Sequence, residues 1–276
     1  DEPGVCKMLY EQAVLMGFEV VTLGKGKNNP INFDATPESC REEALSKDMN
    51  PKMLAAFQDG TKTMVEMAAV SNATGLIPDV PGMHGPKVEL DELVSTFVPE
   101  DAGGILSRKG CLDYTTGAIA PGVFAIVYSD DDRIRKEMKF ITRADGPYYL
   151  HFRPYHLCDL ETPQSIAEAV LLKEVTVTAE DMVSEVVCKA KRDIKAGETM
   201  GDIGGVDWYG QLMTFKDASG MNALPIGIGA NAKAVRDIKK GEIITLDHAE
   251  PNRDTFVYKL RQIQNTLFTR TGREDR

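Results

Sequence analysis

The run Gly24-Lys25-Gly26-Lys27-Asn28-Asn29-Pro30 places two lysines and two carboxamides next to one another, directly after the strand-like Phe18-Glu19-Val20-Val21-Thr22-Leu23. Ammonium groups supply point charges, asparagine amides supply donors and acceptors, and glycines permit the positive φ that turns backbone N–H groups toward one ligand. A loop of this composition is suited to a small anion, with Lys25 and Lys27 meeting its charge and Asn28 and Asn29 its hydroxyls. The run matches neither the phosphate loop nor the dinucleotide fingerprint, so a plain basic surface loop is the competing reading.

Four further places carry chemistry-bearing residues. In Tyr148-Tyr149-Leu150-His151-Phe152-Arg153-Pro154-Tyr155-His156 the alternation puts Tyr148, Leu150 and Phe152 on one face of a strand and Tyr149, His151 and Arg153 on the other. Arg153 suits bidentate recognition of a phosphate or carboxylate, and His156 could complete that anion site or move a proton. Thr61 and Lys62 open a helix whose free N–H groups and dipole favour an anion. His84, between Gly82 and Gly85, reads either as a lid residue that touches substrate or as a plain turn histidine. Asp59 and Glu66 could hold a divalent cation, but carboxylates on helices are mostly solvated faces, and no metal site is expected.

These residues must be positioned by an α/β framework. A helix over 3–17, with Asp1 as N-cap and Pro3 in the first turn, leads into a strand over 18–24. Thr36-Pro37 and Asn50-Pro51 each open a helix, Lys62–Ala73 forms another with a methionine-rich core face, and residues 77–86 form a Pro/Gly loop before a short helix over 90–97. Strands follow over 111–115, 123–128 and 148–153. The chain has 276 residues, 42% of them hydrophobic, enough for a large core and two domains. Its net charge of −10 argues against nucleic-acid or anionic-membrane partners, so basic residues gathered in one place would serve one small anion. Five scattered cysteines without a C-x-x-C pair suggest neither a disulfide framework nor a zinc cage and read as reduced, cytoplasmic thiols. No run is long enough to span a membrane.

From Ser184 the chain turns to short β-rich pieces. Arg192-Asp193-Ile194-Lys195-Ala196-Gly197-Glu198 recurs 44 positions later as Arg236-Asp237-Ile238-Lys239-Lys240-Gly241-Glu242. Each K-x-G-E is a turn with glycine at positive φ, and two copies fit a small pseudo-symmetric β module closed by a helix over about 252–264. The expected divisions are 1–182, 183–250 and 251–276, the last ten residues looking frayed.

The repeated R-D-I-x-x-G-E with Ile243-Ile244-Thr245-Leu246-Asp247-His248 resembles the SAF or β-clip domain. D-E-P-G-V, G-K-G-K-N-N-P, D-G-T-K-T-M-V-E-M, G-M-H-G-P and P-Y-Y-L-H-F-R-P-Y-H-L together resemble homoserine-dehydrogenase-like oxidoreductases with a C-terminal SAF domain, in particular the 1-deoxy-D-xylulose 5-phosphate reductoisomerase-like group. The resemblance covers residues 1 to about 264. It implies an α+β catalytic domain whose Rossmann part would precede Asp1, NADP or NAD as cofactor, and a small anionic hydroxylated substrate. It also implies a homo-oligomer, dimer or tetramer, for the complete enzyme. Lys25 or Lys27 would polarise the substrate carbonyl, and Glu2 and Gly4, with Asp1, would lie near the cofactor at the mouth of the cleft. The alternative is a SAF-containing sugar-acid binding or lyase module without redox activity.

Overall fold

The computed structural model describes residues 2–270. In chain order its elements are α1 (Glu2–Leu15), β1 (Glu19–Gly26), α2 (Arg41–Ser46), α3 (Pro51–Gln58), α4 (Thr61–Thr74), β2 (Ile77–Pro78), α5 (Leu93–Thr96), β3 (Cys111–Thr115), β4 (Val123–Tyr128), α6 (Asp132–Thr142), β5 (Tyr148–Arg153), α7 (Cys158–Ala167), β6 (Ser184–Ala190), β7 (Trp208–Thr214), α8 (Phe215–Gly220), β8 (Lys233–Ala234), β9 (Ala249–Glu250) and α9 (Phe256–Arg270). The chain is thus mixed α/β and ends in a helix. Local chemistry explains most starts. The Asn50 side chain accepts the N–H groups of Lys52 and Met53, and Pro51 opens α3, as expected. At Thr36 the expectation fails: Thr36 and Ser39 bond one another's backbone, and regular helix begins only at Arg41. α6, capped by Asp131, has no counterpart among the expected helices. Asp1, the expected cap of α1, lies outside the described residues.

One compact unit comprises the chain up to Pro30 together with Glu66–Ser184. Its sheet runs β2-β3-β1-β4-β5, with β2, β3 and β1 parallel and β4 and β5 antiparallel. On one face Val21, Phe97, Leu106, Cys111, Phe124 and Ile126 form a core to which Tyr148, Leu150 and Phe152 add their side chains, the face that the alternation marks for packing. α1 lies against β1 and β4 and buries Val5, Cys6, Leu9 and Ala13. Because β1, β2 and β3 are parallel, their carboxyl ends meet at one edge of the sheet, where α/β folds gather ligands.

The expected basic loop is shorter than its sequence suggests, because β1 continues through Gly26 and Lys25 is a strand residue. Neither Gly24 nor Gly26 adopts positive φ. Both are glycine for want of space. A Cβ at Gly24 would strike the Phe124 ring and lie 2.7 Å from the Asp113 carbonyl oxygen, and one at Gly26 would lie 2.5 Å from the Ala120 nitrogen.

The other unit joins Ile31–Val65 to the chain from Glu185 onward, so the helical segment after Pro30 clusters with the C-terminal part rather than with 1–182. A buried ion pair lies inside this unit. Lys191 Nζ lies 2.7 Å from Asp59 Oδ2 and donates to Ala35 O at 2.7 Å and Gly205 O at 2.9 Å. Phe33 also stacks on Tyr209, and Thr61 Oγ1 accepts the Gly210 N–H. The repeat folds as a local two-fold: Ile194 and Ile238 exchange backbone hydrogen bonds, Lys195 reaches Asp237 at 2.8 Å, and Lys239 reaches Asp193 at 3.0 Å. Gly197 and Gly241 take φ of 93° and 85°, the positive values the turns require. Ile194 and Ile238 enter one core with Trp208, Leu224 and Ile244.

Candidate functional site

At the carboxyl end of β1 the Lys25 ammonium sits between two carboxylates, those of Glu2 at the start of α1 and Glu66 on α4. Lys25 and Glu2 are buried and Glu66 nearly so. His156 Nε2 approaches Glu2 Oε2 at 3.9 Å. Opposite charge from both carboxylates outweighs the burial of Lys25 and raises its pKa, so the ammonium form persists. Burial does the reverse for Glu2. Desolvation, only partly offset by Lys25, pushes its carboxyl up to about 7, and Oε1 has no hydrogen-bond partner. Two carboxyls thus share one ammonium in a dry place, and the surplus negative charge is relieved by a proton.

That proton makes stability depend on pH. Glu2 binds a proton more readily in the folded chain, about 7, than at its ordinary 4.5, so its contribution is fully present at low pH and is lost as pH rises through about 7. Glu2→Gln cannot ionise and removes that slope. Urea unfolding near pH 5 and near pH 8 should show the parent losing on the order of 2–3 kcal/mol relative to the variant. Parallel curves would mean that Glu2 ionises normally.

At the carboxyl end of the neighbouring β3 stands Asp113, fully buried, which sequence reasoning had placed only as a strand residue. Its carboxylate accepts the backbone N–H of Gly85 at 2.9 Å, of Tyr114 at 2.8 Å and of His84 at 3.1 Å, and the His84 ring Nδ1–H at 2.7 Å. His84 Nε2 points toward Asp79 Oδ2 at 3.5 Å, and Asp79 is held by the Ser107 N–H and hydroxyl. The hydrogen bond to Asp113 is the largest cause of a raised His84 pKa. The turn that carries His84 is therefore pinned to β3 by these hydrogen bonds.

The two groups lie at the carboxyl ends of neighbouring strands but on opposite faces, since Asp113 pairs with Gly24 and not with Lys25. Lys25 and Tyr114 are register partners on parallel strands, so their side chains leave the sheet on the same face. Gly85 lies directly over the Tyr114 ring, where no Cβ would fit. The sequence signal for this pairing was thin: one acidic residue near the end of a short strand, 29 positions from its histidine.

The remaining expected site residues distribute unevenly. Lys27 follows β1, is buried, and donates to Asn29 O at 2.7 Å, shaping the turn that presents Asn28 to solvent. Arg153 is paired with Glu161 and lies 5.0 Å from the Tyr155 ring, so its guanidinium is already matched to a carboxylate. Gly4 faces the Thr176 methyl group instead of open space. Thr61 and Lys62 belong to the other unit. There the α4 start is closed by Asp59, which accepts the Thr61 N–H at 2.8 Å, and Lys62 lies over the Phe57 ring at 4.7 Å. That helix start holds a protein carboxylate in place of the expected ligand anion. Asp59 and Glu66, considered as cation ligands, each face an ammonium. Among the described residues no cluster of three or more His, Cys, Asp or Glu side chains is arranged to hold a metal ion, and no helix is long and apolar enough to cross a membrane.

Residues 1–162 match the family of the oxidoreductase DRL catalytic domain, and the chain belongs to that family. Among curated proteins none matches the chain significantly. Both charged groups lie inside the matched segment.

Proposed function

We propose that this oxidoreductase acts on a small, anionic, hydroxylated substrate at the carboxyl ends of β1 and β3, with Lys25 polarising the reacting oxygen. One observation carries the reading: a buried ammonium held charged by Glu2 and Glu66 at the end of a parallel strand. Oxygen gains negative charge when a carbonyl is reduced, and a fixed cation in a dry site favours that charge most. Lys27, Asn28 and Asn29 are assigned to the substrate's anionic group and hydroxyls. Arg153 joins them only by exchanging the Glu161 carboxylate for that of the substrate. The substrate is then a phosphosugar, in a reductoisomerase-like reaction, or homoserine or a sugar acid in a dehydrogenase-like one. The C-terminal repeat unit is taken as SAF-like.

NADP or NAD is proposed as the redox partner. Of the two residues expected near it, Glu2 is ion-paired with Lys25, and a Cβ at Gly4 would lie 2.7 Å from the Thr176 methyl group. The reading is tested on the full-length protein by following reduced-nicotinamide absorbance with 1-deoxy-D-xylulose 5-phosphate, L-homoserine and, as uncharged control, 1-deoxy-D-xylulose. Turnover of a charged member with kcat/KM at least about 100-fold above the uncharged sugar is expected, a difference of about 2.7 kcal/mol. Equal rates with and without the phosphate would sink the anionic-substrate reading.

A further inference from the structure

We propose that the unit carrying the C-terminal repeat has a further binding site, for a neutral molecule with an apolar body and one carbonyl-type acceptor. A cavity of about 560 Å³ borders α9, and every residue that lines it belongs to this one unit. That volume falls in the range of small-molecule sites. None of the groups at the ends of β1 and β3 takes part in it. Helical spacing sets the α9 side of the cavity. Tyr258, Arg261, Asn265 and Phe268 recur at intervals of three and four, so they share the face that α9 turns toward it. Phe215, Ala223, Pro225, Ile228 and Leu246 supply the apolar wall.

The polar end is one guanidinium. Arg261 Nη1 lies 2.5 Å from Glu185 Oε2 and its Nε donates to Asn265 Oδ1 at 2.8 Å, while among the described residues Nη2 has no partner. Both side chains of the pair are only 16% exposed, so these Nη2 hydrogens are shielded donors still without an acceptor from the protein. Charge then selects the ligand. Four charged residues line the cavity, and they pair two by two, Arg261 with Glu185 and Arg253 with Glu250 at 3.1 Å. The lining is thus neutral. A carboxylate entering it would leave water and find no unpaired cation, and an ammonium no unpaired anion. An amide or ketone oxygen accepts from Nη2 without bringing a charge.

Three probes of one skeleton test this: 4-phenylbutanamide, 4-phenylbutanoate and 4-phenylbutylamine, titrated by calorimetry into the full-length protein. Burial raises the Glu185 carboxyl, so the titrations are run at about pH 8 to keep it ionised. The amide is expected to bind at least about tenfold tighter than either ion. Glu185→Gln removes the charge that balances Arg261, so in that variant the carboxylate should become the tightest of the three. Ser219→Phe puts bulk on the cavity wall without changing charge and should weaken the amide at least about tenfold. If Glu185→Gln does not fold, the order in the parent and the effect of Ser219→Phe decide the matter. The proposal is overturned by a parent that binds either ion as tightly as the amide, or by no saturable binding of any probe up to about 10 mM. An amide affinity unchanged in Ser219→Phe, or an order of affinities unchanged in folded Glu185→Gln, overturns it as well.

Discussion

Lys25→Met lowers the stability of its unit by about 3–5 kcal/mol near neutral pH, the usual result of leaving a buried charge without its partner. Two carboxyls are affected at once, since Glu2 and Glu66 lose the ammonium that both of them face. The sign with pH follows directly. Without the cation, protonation is the only remaining way to neutralise the pair, so the defect is largest above the raised Glu2 pKa and shrinks on acidification. Adding Glu2→Gln to Lys25→Met should restore a good part of the loss, because a neutral amide replaces one of the orphaned acids. Hydrogen exchange in β1 and β4 is the suitable measure, being local to this sheet. A single variant as stable as the parent at neutral pH would show that the cluster is not dry. The activity consequence is separate: kcat of Lys25→Met falls about 10²–10³-fold, equivalent to about 2.7–4 kcal/mol of transition-state stabilisation.

Lys191→Met has an effect of similar size in the other unit, again about 3–5 kcal/mol. This ammonium donates to the carbonyls of Ala35 and Gly205 and forms an ion pair with Asp59. Asp59 also accepts the Thr61 N–H, so its charge serves the start of α4 as well as the pair. The chain's single tryptophan, Trp208, lies in the core of this unit, and urea unfolding followed by its fluorescence reports there directly. The double variant Asp59→Asn with Lys191→Met should lose clearly less than the two single losses added together, as paired groups do. Losses that simply add would mean that the two side chains stabilise the unit independently.

Much of the framework was legible in sequence because its causes are local. Asn50-Pro51 carries its own cap and first turn, and the alternation in Tyr148–Arg153 assigns each side chain to a face before any partner is known. The R-D-I repeat shows symmetry because each copy repeats the same turn, and the reciprocal Lys195–Asp237 and Lys239–Asp193 contacts follow from that symmetry. That residues 31–65 cluster with the chain from Glu185 onward is not legible locally, for the opposite reason. Their partner, Lys191, is a single lysine more than a hundred positions away, and no local pattern announces it.

By itself the sequence determined which residue types stand at the end of β1 and that this end is basic. Only the tertiary structure decided that Lys25 is a strand residue clamped by acids from α1 and α4, and that His84 turns its Nδ1 toward Asp113. Periodicity and capping are set by neighbours within a turn or two, and a sequence displays them. A pKa is set by whatever charge and water lie within a few ångströms, and for Glu2, Lys25 and His84 those neighbours come from distant parts of the chain.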